Sequence, residues 1–455
     1  MIDAKWAWDT YQQSADVPWD LRRVGHLYRR ASFGATWPEL QSGLAKGPQA
    51  CIDELLSSGD DGPEWRDSIR KGNVGPQVPA WWLKRCLETK NPLREKLTIF
   101  WHNHFATSNS KVNNAGYMLR MIALFHKHAL GNFSELLQEI TLDPAMMVWL
   151  DTNASKKGMP NENYARELME LFSLGIGNYT EQDIREAAKA LTGYEIKEGK
   201  TKLNPAQHDD SSKSVLGKSG NFKAEDIVNI CLEQKSCPYF IAGKLFKFLI
   251  SDSITPDREL LEPVAEDFRK SGYDFGKLVE RMLRSNLFFS DHAIRTKVKS
   301  PVDFAVGVVR ALEGNVSMVA LAQALEGLGQ RLGYPPSVKG WDGGPAWLNG
   351  QTLLFRQNLA LALTSTEDDR FKSRTDPARL ARKYNEDTGD HPVDFFLKLF
   401  LQGDVPGGTR ERLVDYLAKV RQQTAPVYWT ADQAADHPLR AVCHLVLTLP
   451  EFQLD

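Results

Sequence analysis

Apolar residues recur along most of this chain at helical spacing, with few strand-like alternations. Pro92–Phe105 opens with proline where a helix tolerates it, and Leu97, Phe100, Trp101, His104 and Phe105 then fall on one side. In Asn161–Asp183, the residues Tyr164, Leu168, Leu171 and Phe172 keep the spacing of a buried helical stripe. At about 100° per residue, Asn163, Glu167 and Glu170 form a second ribbon beside that stripe, with Glu162 and Arg166 farther round. Thr180 reads as the N-cap of the next helix, with Asp183 at the third position of a capping-box variant. The same periodicity predicts helices over Ala115–His128, Phe133–Thr141, Ala224–Leu232, Pro238–Ile250, Arg258–Ser271 and Val298–Leu312. Later ones are expected at Leu353–Leu363, Pro392–Leu401, Thr409–Gln422 and Asp436–Leu449.

Two stretches break the pattern. Within Gly193–Gly220, two short alternating runs flank Glu198-Gly199-Lys200, a hairpin signal, followed by a polar loop bearing His208, Asp209 and Asp210. Gly333–Gly350 is too rich in proline and glycine for a helix, and a long structured loop in a helical protein is usually functional or a joint. The expected fold class is therefore mainly α, a multi-helix globular body with a small β-hairpin insertion. Its expected parts are a helical body over 1–192, the insertion over 193–220, a second helical body over 221–332, and a Gly/Trp loop with closing helices over 333–455.

Composition narrows the class. The chain has 455 residues, 42% apolar and 25% charged, enough to bury a large core. A formal net charge of −2 gives no bulk attraction for nucleic acid or an anionic membrane. No stretch reaches the ~20 apolar residues of a membrane span. The opening MIDAKWAWDTYQQ has no basic region followed by an apolar run, so no export signal is expected in it. The five cysteines are odd in number and lack a C-x-x-C, which favours free buried thiols over disulfides or a zinc ribbon. Twelve tryptophans supply either core or aromatic platforms for sugars.

Candidate chemistry gathers in three places. His102 and His104 form a His-x-His pair; on a helix they point about 200° apart, so both reach one metal only if the helix unwinds. Glu167 borders an apolar stripe, where a carboxylate must be paired, hydrogen-bonded, metal-bound or protonated. Glu162, Arg166 and Glu170 have the i, i+4, i+8 spacing of a solvated ladder, which is the plainer reading for them. His208 and Asp209 could close over this ribbon as a further ligand and a general acid, or simply face solvent. His26 with Arg29 and Arg30 could bind an anion, or Arg30 could instead pair with one of the acids, and Asn163, Trp341 and Trp347 are candidates for holding substrate. No G-x-S-x-G elbow, phosphate loop, H-E-x-x-H or E-x-x-H is present.

Several blocks resemble one bacterial family. They are HLYRRASFGAT (His26–Thr36), REKLTIFWHNHFATS (Arg94–Ser108), Asp143–Tyr194, HDDSSKSVLGKSG (His208–Gly220), VKSPVDFAVGVVR (Val298–Arg310), and GYPPSVKGWDGGPAWLN with FRQN ending at Asn358. In colinear order they are similar to the family catalogued as domain of unknown function 1800. That resemblance implies no activity, and it implies a surface or periplasmic setting, since many similar proteins carry export signals.

The residues lead first to a metal-assisted hydrolase. A divalent ion of unspecified identity would be held by His102, His104, Glu170 and His208, with Glu167 as base and Glu162, Arg166 and Asp209 in supporting catalytic roles. A metal-independent glycoside hydrolase using paired carboxylates is the second reading. A structural or carbohydrate-binding protein is the third. The expected partner is a polysaccharide or other extracellular polymer.

Overall fold

The helix Pro92–His104 lies at the centre of the molecule. Its sequence spacing accounts for one buried side, yet Glu95, Lys96, Thr98 and His102 are buried along with Leu97, Phe100, Trp101 and His104. The cause is neighbours all round it: helices Leu21–Ala31, Pro48–Leu56, Val78–Glu88 and Ala115–Lys127 pack against it. Trp101 stacks on Phe133 with ring centres 5.7 Å apart and meets Phe275 at 4.4 Å. The polar groups are answered individually, as buried polar groups must be. Trp82 donates its indole N–H to Glu95 at 2.7 Å, and Arg85 reaches the other carboxylate oxygen at 2.8 Å. Lys96 donates to Asp303 at 2.6 Å and to the carbonyls of Arg29 and Ser32.

The computed structural model describes residues 2–57, 77–365, 368, 370–372 and 375–455. The fold is mainly α, with two small antiparallel hairpins among the described residues. The predicted helices are present with ends shifted by a few residues; Phe133–Thr141 and Thr409–Gln422 keep their predicted bounds. The final helix is longer than predicted, Ala431–Thr448, because Thr430 and Gln433 form a capping box ahead of the predicted start. Thr180 and Asp183 do cap Glu181–Ala190 in the expected reciprocal manner.

The acidic helix departs from regular geometry. It is α-helical over Asn163–Glu167 and then widens to a π turn over Leu168–Ser173, where the Leu174 N–H reaches the Met169 carbonyl. The extra residue in that turn rotates the later side chains about the helix axis. Tyr164, Leu168 and Phe172 stay buried, Leu171 is only partly so, and Glu167 and Glu170 are left half-buried.

In the insertion, Tyr194–Lys197 pairs with Lys200–Leu203, and Glu198 and Gly199 both take positive φ, as a two-residue type I′ turn requires. A second hairpin, Lys213–Val215 with Lys218–Gly220, occupies part of the stretch expected to be polar loop. Its turn is Leu216-Gly217, and Leu216 in the left-handed region is not a turn signal a sequence announces. All five cysteines are free and buried. Among the described residues, no helix is long and apolar enough to cross a membrane.

Gly333–Gly350 is irregular apart from a single 3-10 turn, Gly344–Trp347. It is fastened across the end of the central helix. The Gly333 N–H donates to His102 Nε2 at 3.1 Å, and the Trp341 N–H donates to Asn103 Oδ1 at 2.7 Å.

Because the Glu95 carboxylate is fully buried against Arg85 and Trp82, Glu95→Ala is expected to cost roughly 3–5 kcal/mol of stability. Glu95→Gln keeps an acceptor for Trp82 and should cost less. Urea denaturation of the two variants beside the wild type checks both the size and the order.

Candidate functional site

The fastened loop roofs a pocket of about 360 Å³. Its walls come from Lys96, Ile99, Phe100, Asn103 and His104 of the central helix, from Lys244, Lys247 and Phe248 of helix Ser236–Leu249, and from Asp252, Lys297, Ser300 and Asp303. Arg30 lines it, and Lys339–Gly344 with Trp347 close the loop side. A volume of this size suits a small organic ligand.

Its distinguishing property is positive charge in a restricted space. Six cationic side chains line it against four carboxylates, and the Lys96–Asp303 ion pair already consumes one of each. Arg30 is 1% exposed. One of its terminal nitrogens donates to the Ala293 carbonyl at 2.6 Å and the Asp455 carbonyl at 3.3 Å, while Nε and Nη1 have no partner among the described residues. Burial lowers the Arg30 pKa to about 10. Lys297 donates to the Lys247 carbonyl at 2.7 Å. Burial, with Arg30 adding repulsion, brings its pKa down to about 8. Lys244 stands 5.3 Å over the Phe240 ring, and its pKa is lowered by burial first and by Lys247 second. Each shift has the same leading origin: desolvation of an ammonium or guanidinium, which for Arg30 and Lys297 outweighs the pull of Asp252, Asp303 and Asp455.

The sequence-selected residues distribute unevenly around this pocket. Arg30, His104, Trp341 and Trp347 line it. Both tryptophans are buried, so they wall the pocket and leave no open stacking face. His104 Nε2 donates to the Phe172 carbonyl at 3.0 Å; since a carbonyl only accepts, this nitrogen carries the proton, and buried Nδ1 has no partner among the described residues. Burial, with Lys244 adding to it, holds His104 well below the usual imidazole pKa. His102 lies apart from the pocket lining, packed on Trp82 and Trp341.

Glu167 is half-buried and, among the described residues, makes no hydrogen bond or ion pair. Its pKa is raised by burial first and by Glu170 second, with Arg166 and Lys339 opposing. Lys339 thus links the acidic ribbon electrostatically to the pocket wall. The remaining candidates are engaged elsewhere. Glu170 accepts from the Tyr179 hydroxyl at 2.7 Å. Arg166 makes two 2.7 Å bonds to Glu181 and lies 3.6 Å from Glu162, the surface ladder anticipated for these residues. Asn163 is exposed. His208 Nδ1 donates to the Thr192 carbonyl at 2.9 Å, and Asp209 accepts from the Ser211 backbone and hydroxyl. Among the described residues, no three or more His, Cys, Asp or Glu side chains are grouped so as to hold a metal ion.

Sequence reasoning passed over Lys244, Lys297 and Asp252. Lys244 was the readable one, a cation set in the apolar run Ile241–Leu249, but a lysine there ordinarily reaches water along its stem.

A family model covers the chain from residue 26 to residue 454, under the description "Protein of unknown function (DUF1800)". The protein belongs to the DUF1800 family. No curated protein and no solved structure matches it. The match takes in every segment that lines the pocket except residue 455, so the pocket lies within the DUF1800 region.

The buried histidines make stability pH-dependent. His102 stays neutral in the fold until about pH 3, because burial penalises its charged form. In the unfolded chain it takes up a proton near pH 6.5. Its contribution is therefore intact above pH 6.5 and declines as pH falls toward 3. Between pH 6.5 and 5 the loss is about 2 kcal/mol for such a histidine. His102→Gln keeps an acceptor for the Gly333 N–H and should lose less than the wild type when denaturation is compared at pH 7 and pH 5.

Proposed function

We propose that this protein recognises a small hydroxylated organic anion, a sugar acid or sugar phosphate, in the roofed pocket. The observation that carries the reading is the gathering of four cations around one cavity: Arg30, with two buried guanidinium nitrogens unpartnered among the described residues, Lys244, Lys297 and the exposed Lys339. A carboxylate or phosphate would supply a counter-charge to these groups and acceptors to the open nitrogens of Arg30. Asp252, Asp342 and Asn103 on the same walls are acceptors suited to ligand hydroxyls, and Phe100 and Phe248 offer apolar contact. This retains the carbohydrate theme of the sequence reading and moves it from the acidic ribbon to the basic cavity. Hydrolysis remains the enzymatic version of the proposal. In it, Lys297 is the group placed to take a proton, since an amine of pKa about 8 is partly deprotonated at mildly alkaline pH. The four-donor metal set of His102, His104, Glu170 and His208 has less support: His102 Nε2 accepts from Gly333, and His104 Nε2 is protonated toward Phe172.

Glucuronate and glucose 6-phosphate, with neutral glucose as the control, test the proposal by calorimetric titration and thermal shift. Either anion should bind and raise the melting temperature, while glucose should not. Lys244→Met and Lys297→Met should each weaken binding by about tenfold or more, a lost charge-assisted bond being worth roughly 1.5–3 kcal/mol. Affinity should fall as pH rises through about 8, because the anion favours protonated Lys297. Equal binding of glucose, or no response to any of the three, would overturn the assignment.

A further inference from the structure

Beside the main pocket, and sharing Asp303 and Asp455 with it, lies a second cavity of about 30 Å³, lined also by Arg29 and Lys299. We infer that this smaller cavity is a binding site for one small inorganic anion, of the size and charge of chloride, held between Arg29 and Lys299. The inference stands apart from the proposed function, because neither Lys244 nor Lys297 lines this space.

Charge is the first ground. Arg29, Arg30, Lys299 and Arg356 are all nearly or fully buried. Asp303 is bonded to Lys96 and to the Ser300 hydroxyl, which leaves the Asp455 side chain as the other carboxylate lining the cavity, with Asp404 a smaller influence on Arg29. Among the described residues, Asp455 forms no direct ion pair, although Lys299, Lys96, Arg30 and Arg29 all act on it. The cations surround a gap instead of closing on the acid. Uncompensated buried charge is strongly destabilising, and an anion in the gap removes that cost.

Unmet hydrogen bonds are the second ground. Arg29 is fixed by Gln402, whose side chain lies where a Cβ on Gly25 would stand and accepts from one terminal nitrogen of the guanidinium. Its Nε and other terminal nitrogen are buried without a partner among the described residues. Lys299 donates to the Phe452 carbonyl at 2.6 Å and has two further protons to place. Donors thus outnumber acceptors around the gap. Burial depresses both groups, Arg29 with Arg295 adding to it, by more than Asp455 restores. About 30 Å³ admits one monatomic anion or about two waters, and excludes a sugar acid.

Crystals soaked in bromide give the direct test. The expected result is an anomalous peak between Arg29 and Lys299; no peak there, or one confined to the main pocket, overturns the inference. In solution, chloride should raise the melting temperature of the wild type saturably above that in gluconate at equal ionic strength, and Arg29→Met should abolish the difference. A chloride effect of the same size in Arg29→Met would place the ion elsewhere and overturn the site. Should that variant not fold, the bromide experiment on the unaltered chain still decides.

Discussion

A thirteen-residue helix with almost no face toward solvent places a demand on everything packed around it. Glu95, Lys96, His102 and His104 cannot be left without partners in a low-dielectric interior, and none can be served from within the helix. Their partners come from distant parts of the chain: Trp82 and Arg85, Asp303, Gly333, and Phe172. One buried helix therefore joins early, middle and late segments by polar bonds that work only in a single register. Apolar packing supplies the bulk of the interior. These directional bonds set which surfaces meet.

The same arrangement explains why the chemistry collects where it does. Arg29 and Arg30 are consecutive on one helix and so diverge by about 100°, which directs them to different cavities. Asp303 and Asp455 form the wall between those cavities. Lys96, which could have enlarged the positive surface, is neutralised by Asp303 because it rises from the central helix toward that wall. What remains is positive charge concentrated where water is scarce, the condition under which an anion is held most firmly.

Much of the architecture was legible because amphipathic periodicity and capping are local. The Thr180–Asp183 cap and the turn at Glu198-Gly199 are decided by adjacent residues, and the structure has both. The second hairpin was not legible, since Leu216 enters a turn conformation that its side chain does not favour. The widening at Leu168–Ser173 was hidden too, because the apolar stripe fits an ordinary helix equally well. The pocket was legible only in pieces. Arg30, His104, Trp341 and Trp347 carry visible chemistry, whereas Lys244 and Lys297 look like any lysines until the fold takes water away from them. Glu162 and Arg166 had the spacing of a solvated ladder and form one, joined by Glu181 from the next helix.

Gly340 gives the roof of the pocket its character. It has φ +82°, and a Cβ there would stand 2.2 Å from Asn103 Oδ1 and 2.5 Å from the Asn103 carbonyl oxygen. The loop backbone consequently lies directly on the Asn103 carboxamide and carbonyl at this point, with no room for a side chain of its own. A cover seated in that way behaves as masonry rather than as a door. Lys247, Lys339 and Asp342 are exposed members of the lining, so their charges meet an arriving molecule before the buried ones do.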